Sequence, residues 1–292
     1  MNPVEILSIE KMKERVKAFA ESLMQLKSAP PVEEYYNGPI MFEGGAVATI
    51  LSGNLLYRGG LIANRSLGPS RGGLEDQFGG KIIDSRLTIK NYTTMKEYNG
   101  TPLYGYYEMD GDGVTPAAEM TLVEKGVFKK MLNGRIPALK APESTGSARF
   151  MFSPQSPTIA VGVGTIHVQV DKGDSHAKMK KILIKAAKDA GQSCAYIARG
   201  IAGSVPVVYR VDLKDGKETR VRTAGFRMPD LTKLQKIVAI SSKEEVMNFI
   251  PNYYPASMIY PAGMIVDGLV IEKTSLKTEK EPALKVPRQR EE

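Results

Sequence analysis

The sequence predicts an α+β protein, a largely antiparallel β-sheet core with a few packed helices. Three observations carry that prediction. β-rich runs follow one another across turn pairs, Asn99-Gly100, Lys125-Gly126 and Asp215-Gly216, which is how hairpins read in sequence. Apolar residues recur at helical spacing in only a few isolated segments. The strand–helix–strand alternation that builds a parallel sheet is missing.

Glu10 to Lys27 reads as an amphipathic helix, with Met12, Val16, Phe19, Leu23 and Leu26 on one stripe between Lys and Glu residues. Ala29-Pro30-Pro31 ends it, because proline has no N–H and restricts the residue before it. Residues 1–31 are therefore set apart, as a linker helix from a preceding domain or as a clamp packed across a sheet. The stretch Gly38–Gly53 opens on the turn pair Gly38-Pro39 and the apolar run Ile40–Phe42. A helix follows, with Val47, Ile50 and Leu51 at helical spacing and Gly53 at its stop. Gly44 and Gly45 sit in its first turn, at a cost of about 1 kcal/mol each against alanine, which points to close packing against another backbone.

The segment 59–80 is glycine-rich and reads as a long loop without a phosphate-binding pattern; such loops often cover a cleft. Ile82–Ile89 and Leu103–Tyr107 read as strands, and Met120–Val123 with Val127–Leu132 as a hairpin. Asp110-Gly111-Asp112-Gly113 lacks the remaining ligands of a calcium loop and reads as a turn. Thr158–Val163 and Ile166–Val170 follow as strands. Asp174–Ala190 is the clearest helix: Ser175 can cap it, Met179, Ile182, Leu183 and Ala186 form its stripe, and Gly191 ends it. Pro206–Asp212 and Glu218–Thr223 form a hairpin around Asp215-Gly216, Ser242 to Glu245 reads as a capping box for a short helix to Phe249, and Ala262–Ile271 is a last strand. Residues 32–272 are read as one domain, and the charged tail 273–292 as disordered.

Composition bounds the chemistry. Of 292 residues, 42% are hydrophobic and 25% charged, as in ordinary globular proteins. A single cysteine, Cys194, excludes an internal disulfide framework and any multi-cysteine metal site, and fits a reducing compartment. No signal core and no long apolar run is present, so a cytoplasmic location is expected. The net charge of +8 is spread along the chain rather than gathered in a patch, so nucleic acid is a weak expectation. His167 and His176, the only histidines, fall in a strand and at a helix start, and each reads as an ordinary surface or edge histidine. No serine has the strand–turn–helix setting of a nucleophile elbow, and Cys194 follows a helix end rather than opening a helix, so no dipole favours its thiolate. Glu43 is the one carboxylate in the apolar opening stretch, where a helix N-terminus favours negative charge.

Taken in order, Gly38–Gly53, Gly79–Ile89, Asp110–Pro116, Thr121–Lys129 and Ser144–Arg149 resemble the C-terminal part of the TldD/PmbA family, with the likeness running from about residue 38 to 272. The resemblance implies a metallopeptidase framework acting on small or unfolded peptides, in a family formerly labelled modulators of DNA gyrase, and makes residues 1–31 its connecting helix. In TldD-type members a helix carries H-E-x-x-x-H, with a cysteine near the C-terminus as the third zinc ligand. PmbA-type (TldE) members lack those ligands and pair with a TldD-type subunit. Here the motif falls on Phe42-Glu43-Gly44-Gly45-Ala46-Val47. Glu43 matches the general-base glutamate, Phe42 and Val47 stand at the histidine positions, and no cysteine lies near Ala256–Gly268. A phenyl ring and an isopropyl group cannot bind zinc, and a glutamate without a metal-bound water has nothing to activate. The family's usual further N-terminal domain is not matched, so a shortened protein, half of a split pair or a fragment is expected.

The expectation is thus a metal-free, PmbA/TldE-like member, with zinc not expected. It would serve as a peptide-binding or partner subunit, in a homodimer or a heterodimer with a TldD-type chain. Glu43 is its vestigial base, and the 59–80 loop with Ser144, Thr145, Gly146 and Arg149 walls its peptide cleft. The alternatives are an active metallopeptidase with relocated ligands, His167 and His176, and a basic module contacting nucleic acid or a nucleic-acid enzyme.

Overall fold

The structure, a computed structural model, describes residues 8–32, 35–56, 60–63, 74–152, 156–202, 205–222 and 224–273. Residues 59 and 64–73 of the 59–80 loop, and the tail beyond 273, lie outside the described residues. α1 (Ile9–Ser28) is capped by Ser8, whose hydroxyl accepts from the Lys11 amide at 3.4 Å. β1 (Tyr36–Glu43) leads into α2 (Gly45–Leu55). A short 3₁₀ turn, Leu74–Gln77, precedes β2 (Leu87–Tyr92), β3 (Glu97–Tyr98), β4 (Thr101–Pro102), β5 (Glu119–Glu124) and β6 (Val127–Phe128). β7 (Ala148–Phe152), β8 (Pro157–Val161) and β9 (Thr165–Val170) run to α3 (His176–Asp189). β10 (Cys194–Ala202), β11 (Val205–Asp212), β12 (Glu218–Val221) and β13 (Ala224–Phe226) come next. The described residues end with α4 (Leu231–Leu234), β14 (Ile237–Ile240), β15 (Glu244–Phe249), β16 (Ala256–Pro261) and β17 (Gly263–Lys273).

The strands form two large sheets. One is ordered β12-β11-β10-β1-β17-β13, with β14 also on β17; the other is ordered β15-β16-β9-β2-β5-β6. The pairs β3-β4 and β7-β8 stand apart as hairpins. Pairing is antiparallel except between β1 and β10 and between β16 and β9. This is the α+β architecture that the hairpin signals predict.

Side chains alternate across β1 with the period of two that a strand imposes. Ile40 and Phe42 enter the larger hydrophobic cluster, and Met41 enters the smaller one. Its neighbours agree: Cys194, Tyr196 and Ala198 of β10 face the larger cluster, and Ala195 and Ile197 the smaller. α2 contacts β10 and β1 of the first sheet and β16 of the second. Seven of its eleven residues are buried, including Val47, Ile50 and Leu51, which is why it is apolar nearly all round. α3 covers the opposite face of the first sheet with Met179, Leu183 and Ala187.

Four local readings differ from the structure. Ser242–Phe249 is not a capped helix: Glu244–Phe249 is β15, paired along its length with β16, so sheet pairing overrides the local capping signal. Ile82–Arg86 and Leu103–Tyr107 are not strands; Asn99-Gly100 instead turns the small β3-β4 hairpin. Phe42 and Glu43 are the last residues of β1, and the helix begins only at Gly45, so the six-residue motif does not lie on one helix. His167 is buried at 6% exposure rather than on the surface. Sequence reasoning missed β7, β13 and β14, and also β10 and β16, both nearly continuous apolar runs.

Candidate functional site

Phe42 and Val47, the positions of the two family histidines, are each 0% exposed. The Phe42 ring meets Phe226 edge-on at 5.6 Å between centroids. Both side chains belong to the larger cluster between the sheets. Neither offers a lone pair, and hydrocarbon encloses both, so these positions do not fit a metal ion.

Glu43 goes the other way. One residue beyond Phe42, it turns to the α3 side of the sheet. Its Oε2 accepts from Arg199 Nε at 2.6 Å, and its Oε1 lies 3.3 Å from His176 Nδ1. Arg199 Nη2 continues to Glu218 Oε2 at 2.6 Å, and Glu218 Oε1 accepts from Lys180 Nζ at 2.7 Å. Burial works to raise the Glu218 carboxyl, but the hydrogen bonds from Lys180 and Arg199 outweigh it and hold the carboxyl below its usual range. The network ties β1, β10, β12 and α3 together on the face away from Phe42 and Val47. Oε1 of Glu43 is buried without a hydrogen-bond partner. Beside it, a cavity of about 250 Å³ is lined by His176, Ser241, Lys243 and Glu245.

Gly44 sits between strand and helix with φ of 55°, a conformation that side chains disfavour. Its glycine identity is thus accounted for by the sharp turn that sends Glu43 and Val47 into different layers.

The two histidines serve different carboxylates. His176 is the first residue of α3 and leans on Glu43. His167 Nε2, on β9, lies 2.9 Å from Glu244 Oε1 on β15. Tyr98 of the β3-β4 hairpin donates its hydroxyl to the same carboxylate. Hydrogen bonding from His167, opposed by burial and aided by Tyr98, holds Glu244 below its usual range. The hydrogen bond to Glu244, with burial, pushes Tyr98 up to about 12. No group of three or more His, Cys, Asp or Glu side chains that could hold a metal is found among the described residues. Cys194, 2% exposed, opens β10 inside the larger cluster.

Ser144, Thr145 and Gly146 form a turn rather than an open wall. Thr145 Oγ1 donates to the Asn133 carbonyl at 2.9 Å and accepts from the Asn133 amide at 2.7 Å. Gly146 is buried with φ of 65°, and a Cβ there would stand 2.7 Å from Pro116 Cα. Ser144 is exposed, its hydroxyl accepting from the Gly146 amide at 3.2 Å. Arg149 of this predicted group lines a pocket, with Tyr107 and Pro255 among its neighbours. Nothing in the sequence marked Tyr107 or Tyr254, because aromatic stacking on an arginine leaves no spacing signature. A cavity of about 700 Å³ beside β13 and β17 contains none of the residues singled out from sequence.

Comparison with known proteins bears on the whole frame. A family model described as the PmbA/TldA metallopeptidase C-terminal domain matches residues 36–273. No curated protein matches the chain in sequence. Among solved structures, TldE from Thermococcus kodakarensis is similar with a TM-score of 0.61 at 18% identity, over 88% of this chain and 54% of that one. A protein described as a proposed modulator of a DNA gyrase, from Thermotoga maritima, matches with a TM-score of 0.61 at 15% identity, over 93% of this chain and 56% of that one. A second proposed gyrase modulator, from Bacteroides thetaiotaomicron, gives 0.56 at 14% identity over 88% and 51%. The chain spans about half the length of the solved structures it matches.

Proposed function

The chain belongs to the TldD/PmbA metallopeptidase family, and from that premise we propose that it is a metal-free, TldE-like member. In this reading it binds peptide or supports a TldD-type partner rather than cutting peptide itself. The observation that carries the reading is the enclosure of Phe42 and Val47 at 0% exposure, with Glu43 committed to Arg199 on the other side of the sheet. A general base needs a water to activate, and no donor at either family histidine position can hold one on a metal.

The partner role draws support from α1. None of its residues is buried, and Val16, Phe19 and Leu23 are 68%, 65% and 49% exposed along one stripe. Arg220 of β12 ties the helix to the sheet, its Nη1 donating to Ser22 Oγ at 2.5 Å. An uncovered apolar helix face of this length fits a protein partner.

The test mixes the chain with a TldD-type protein that retains the full ligand set, and follows complex formation by light scattering and peptide hydrolysis in parallel. The expected result is a mixed complex whose chelator-sensitive hydrolysis resides in the partner, and which is lost in the Val16→Glu/Phe19→Glu variant of this chain. Chelator-sensitive hydrolysis by this chain alone would overturn the reading.

A further inference from the structure

Arg149 is 7% exposed, yet its guanidinium pairs with no acid among the described residues. Nη2 donates to the Pro255 carbonyl at 2.9 Å, and Nη1 is buried with no hydrogen-bond partner. The guanidinium carbon lies 4.0 Å from the centre of the Tyr107 ring and 5.6 Å from that of Tyr254. Asp110 is the carboxylate whose charge reaches it. But Asp110 Oδ1 accepts from the amides of Asp112 and Val114 at 2.9 and 2.8 Å, and Oδ2 from the Ala148 amide at 3.0 Å. It is spent on its own turn. Burial depresses the Arg149 pKa, and the tyrosines and Asp110 restore only part of it.

The cation is held rather than loose. Tyr107 is fixed by its hydroxyl donating to the Gly146 carbonyl at 3.0 Å, and Tyr254 by accepting from the Val163 amide at 3.2 Å. Gly162 completes the cradle: a Cβ there would stand 2.8 Å from Arg149 Cγ and 2.6 Å from Tyr254 Cζ. The sequence thus keeps a glycine where any side chain would push the guanidinium out of place.

Next to this cation opens a pocket of about 190 Å³, lined also by Met109, Phe150 and Phe152. Those three are 62%, 52% and 71% exposed; Phe150 and Phe152 stand on the outer face of β7, alternate to Arg149, and meet it only along the pocket that all of them line. A desolvated guanidinium lacking a carboxylate is expensive to keep, and planar two-oxygen acceptors match it best. Apolar walls around such a point are the common make-up of a ligand pocket.

We propose that this pocket takes the free C-terminal carboxylate of a peptide ending in an aromatic or aliphatic residue. Arg149 grips the carboxylate, and Met109, Phe150 and Phe152 receive the last side chain. The proposal rests on the peptide-binding reading above and adds to it which end of the peptide is held.

The test measures binding of Gly-Gly-Phe, of its C-terminal amide and of 3-phenylpropionate to the full chain alone by calorimetry. The acid tripeptide is expected to bind at least about tenfold more tightly than the amide. Arg149→Gln should remove that difference, and Gly162→Ala should reduce it. Equal binding of acid and amide by the native chain overturns the proposal, whether or not the Arg149 variant folds. Equal binding of 3-phenylpropionate and the tripeptide would keep the carboxylate site and overturn a peptide as its source. No metal or partner takes part, so failure here leaves the metal-free reading to its own test.

Discussion

Phe42 and Glu43 are neighbours in the chain and end on opposite faces of one strand. That parity follows from the strand period alone, and its consequence is chemical. The carboxylate at the family's base position cannot serve the positions of the family's imidazoles, because a sheet separates them. Phe42→His and Val47→His would therefore place imidazoles among hydrocarbon with no partner in reach. The double variant is expected to lose about 2–6 kcal/mol of stability in urea unfolding, counting roughly 1–3 kcal/mol for each buried unpaired polar group, and to gain no zinc. Stability within about 0.5 kcal/mol of the native chain, the usual effect of a surface substitution, would mean that these positions are not enclosed. The apolar identity of both residues was legible in the sequence. The opposed direction of Glu43 was not, because it depends on where β1 stops and α2 starts, and Gly44 with φ of 55° sets that boundary.

At the scale of elements, the β3-β4 hairpin is held to the second sheet by Tyr98, Glu244 and His167. The sign of its pH dependence follows from the shifts. Glu244 is depressed in the folded chain, so its contribution is complete above the unfolded value near about 4.3 and is lost as pH falls through the lower folded value. Tyr98 is raised to about 12; its contribution is complete below about 10 and is lost as pH rises through the folded value. Amide exchange in the hairpin should accordingly stay slow, relative to intrinsic rates, across the neutral range and loosen at both extremes. Glu244→Gln should loosen it at neutral pH too. Protection that is unchanged in the variant would show that the hairpin is held by other contacts. This contact was invisible in sequence: Ser242 and Glu245 carry a helix signal, and only the pairing of Glu244–Phe249 with Ala256–Pro261 turns Glu244 towards His167. The helices α1 and α3 and the hairpins at Lys125-Gly126 and Asp215-Gly216 were legible, because periodicity and turn chemistry are local. β10 and β16 were not, since buried strands without alternation look like any apolar run.

For the molecule as a whole, α2 packs against both sheets, and Phe42 and Val47 beside it are enclosed in the hydrophobic cluster between them. The α+β class could be read from hairpin signals, and membership in the family from the order of weak motifs. The separation of the chemistry-bearing residues into three places could not: Glu43 with His176 on the α3 face, His167 with Glu244 on the second sheet, and Arg149 between two tyrosines. Zinc content measured after dialysis against excess zinc, then against buffer, tests the central claim most directly. The account predicts far less than one zinc per chain, unchanged in the His167→Ala/His176→Ala variant. One zinc per chain that survives dialysis and disappears with those histidines would contradict it.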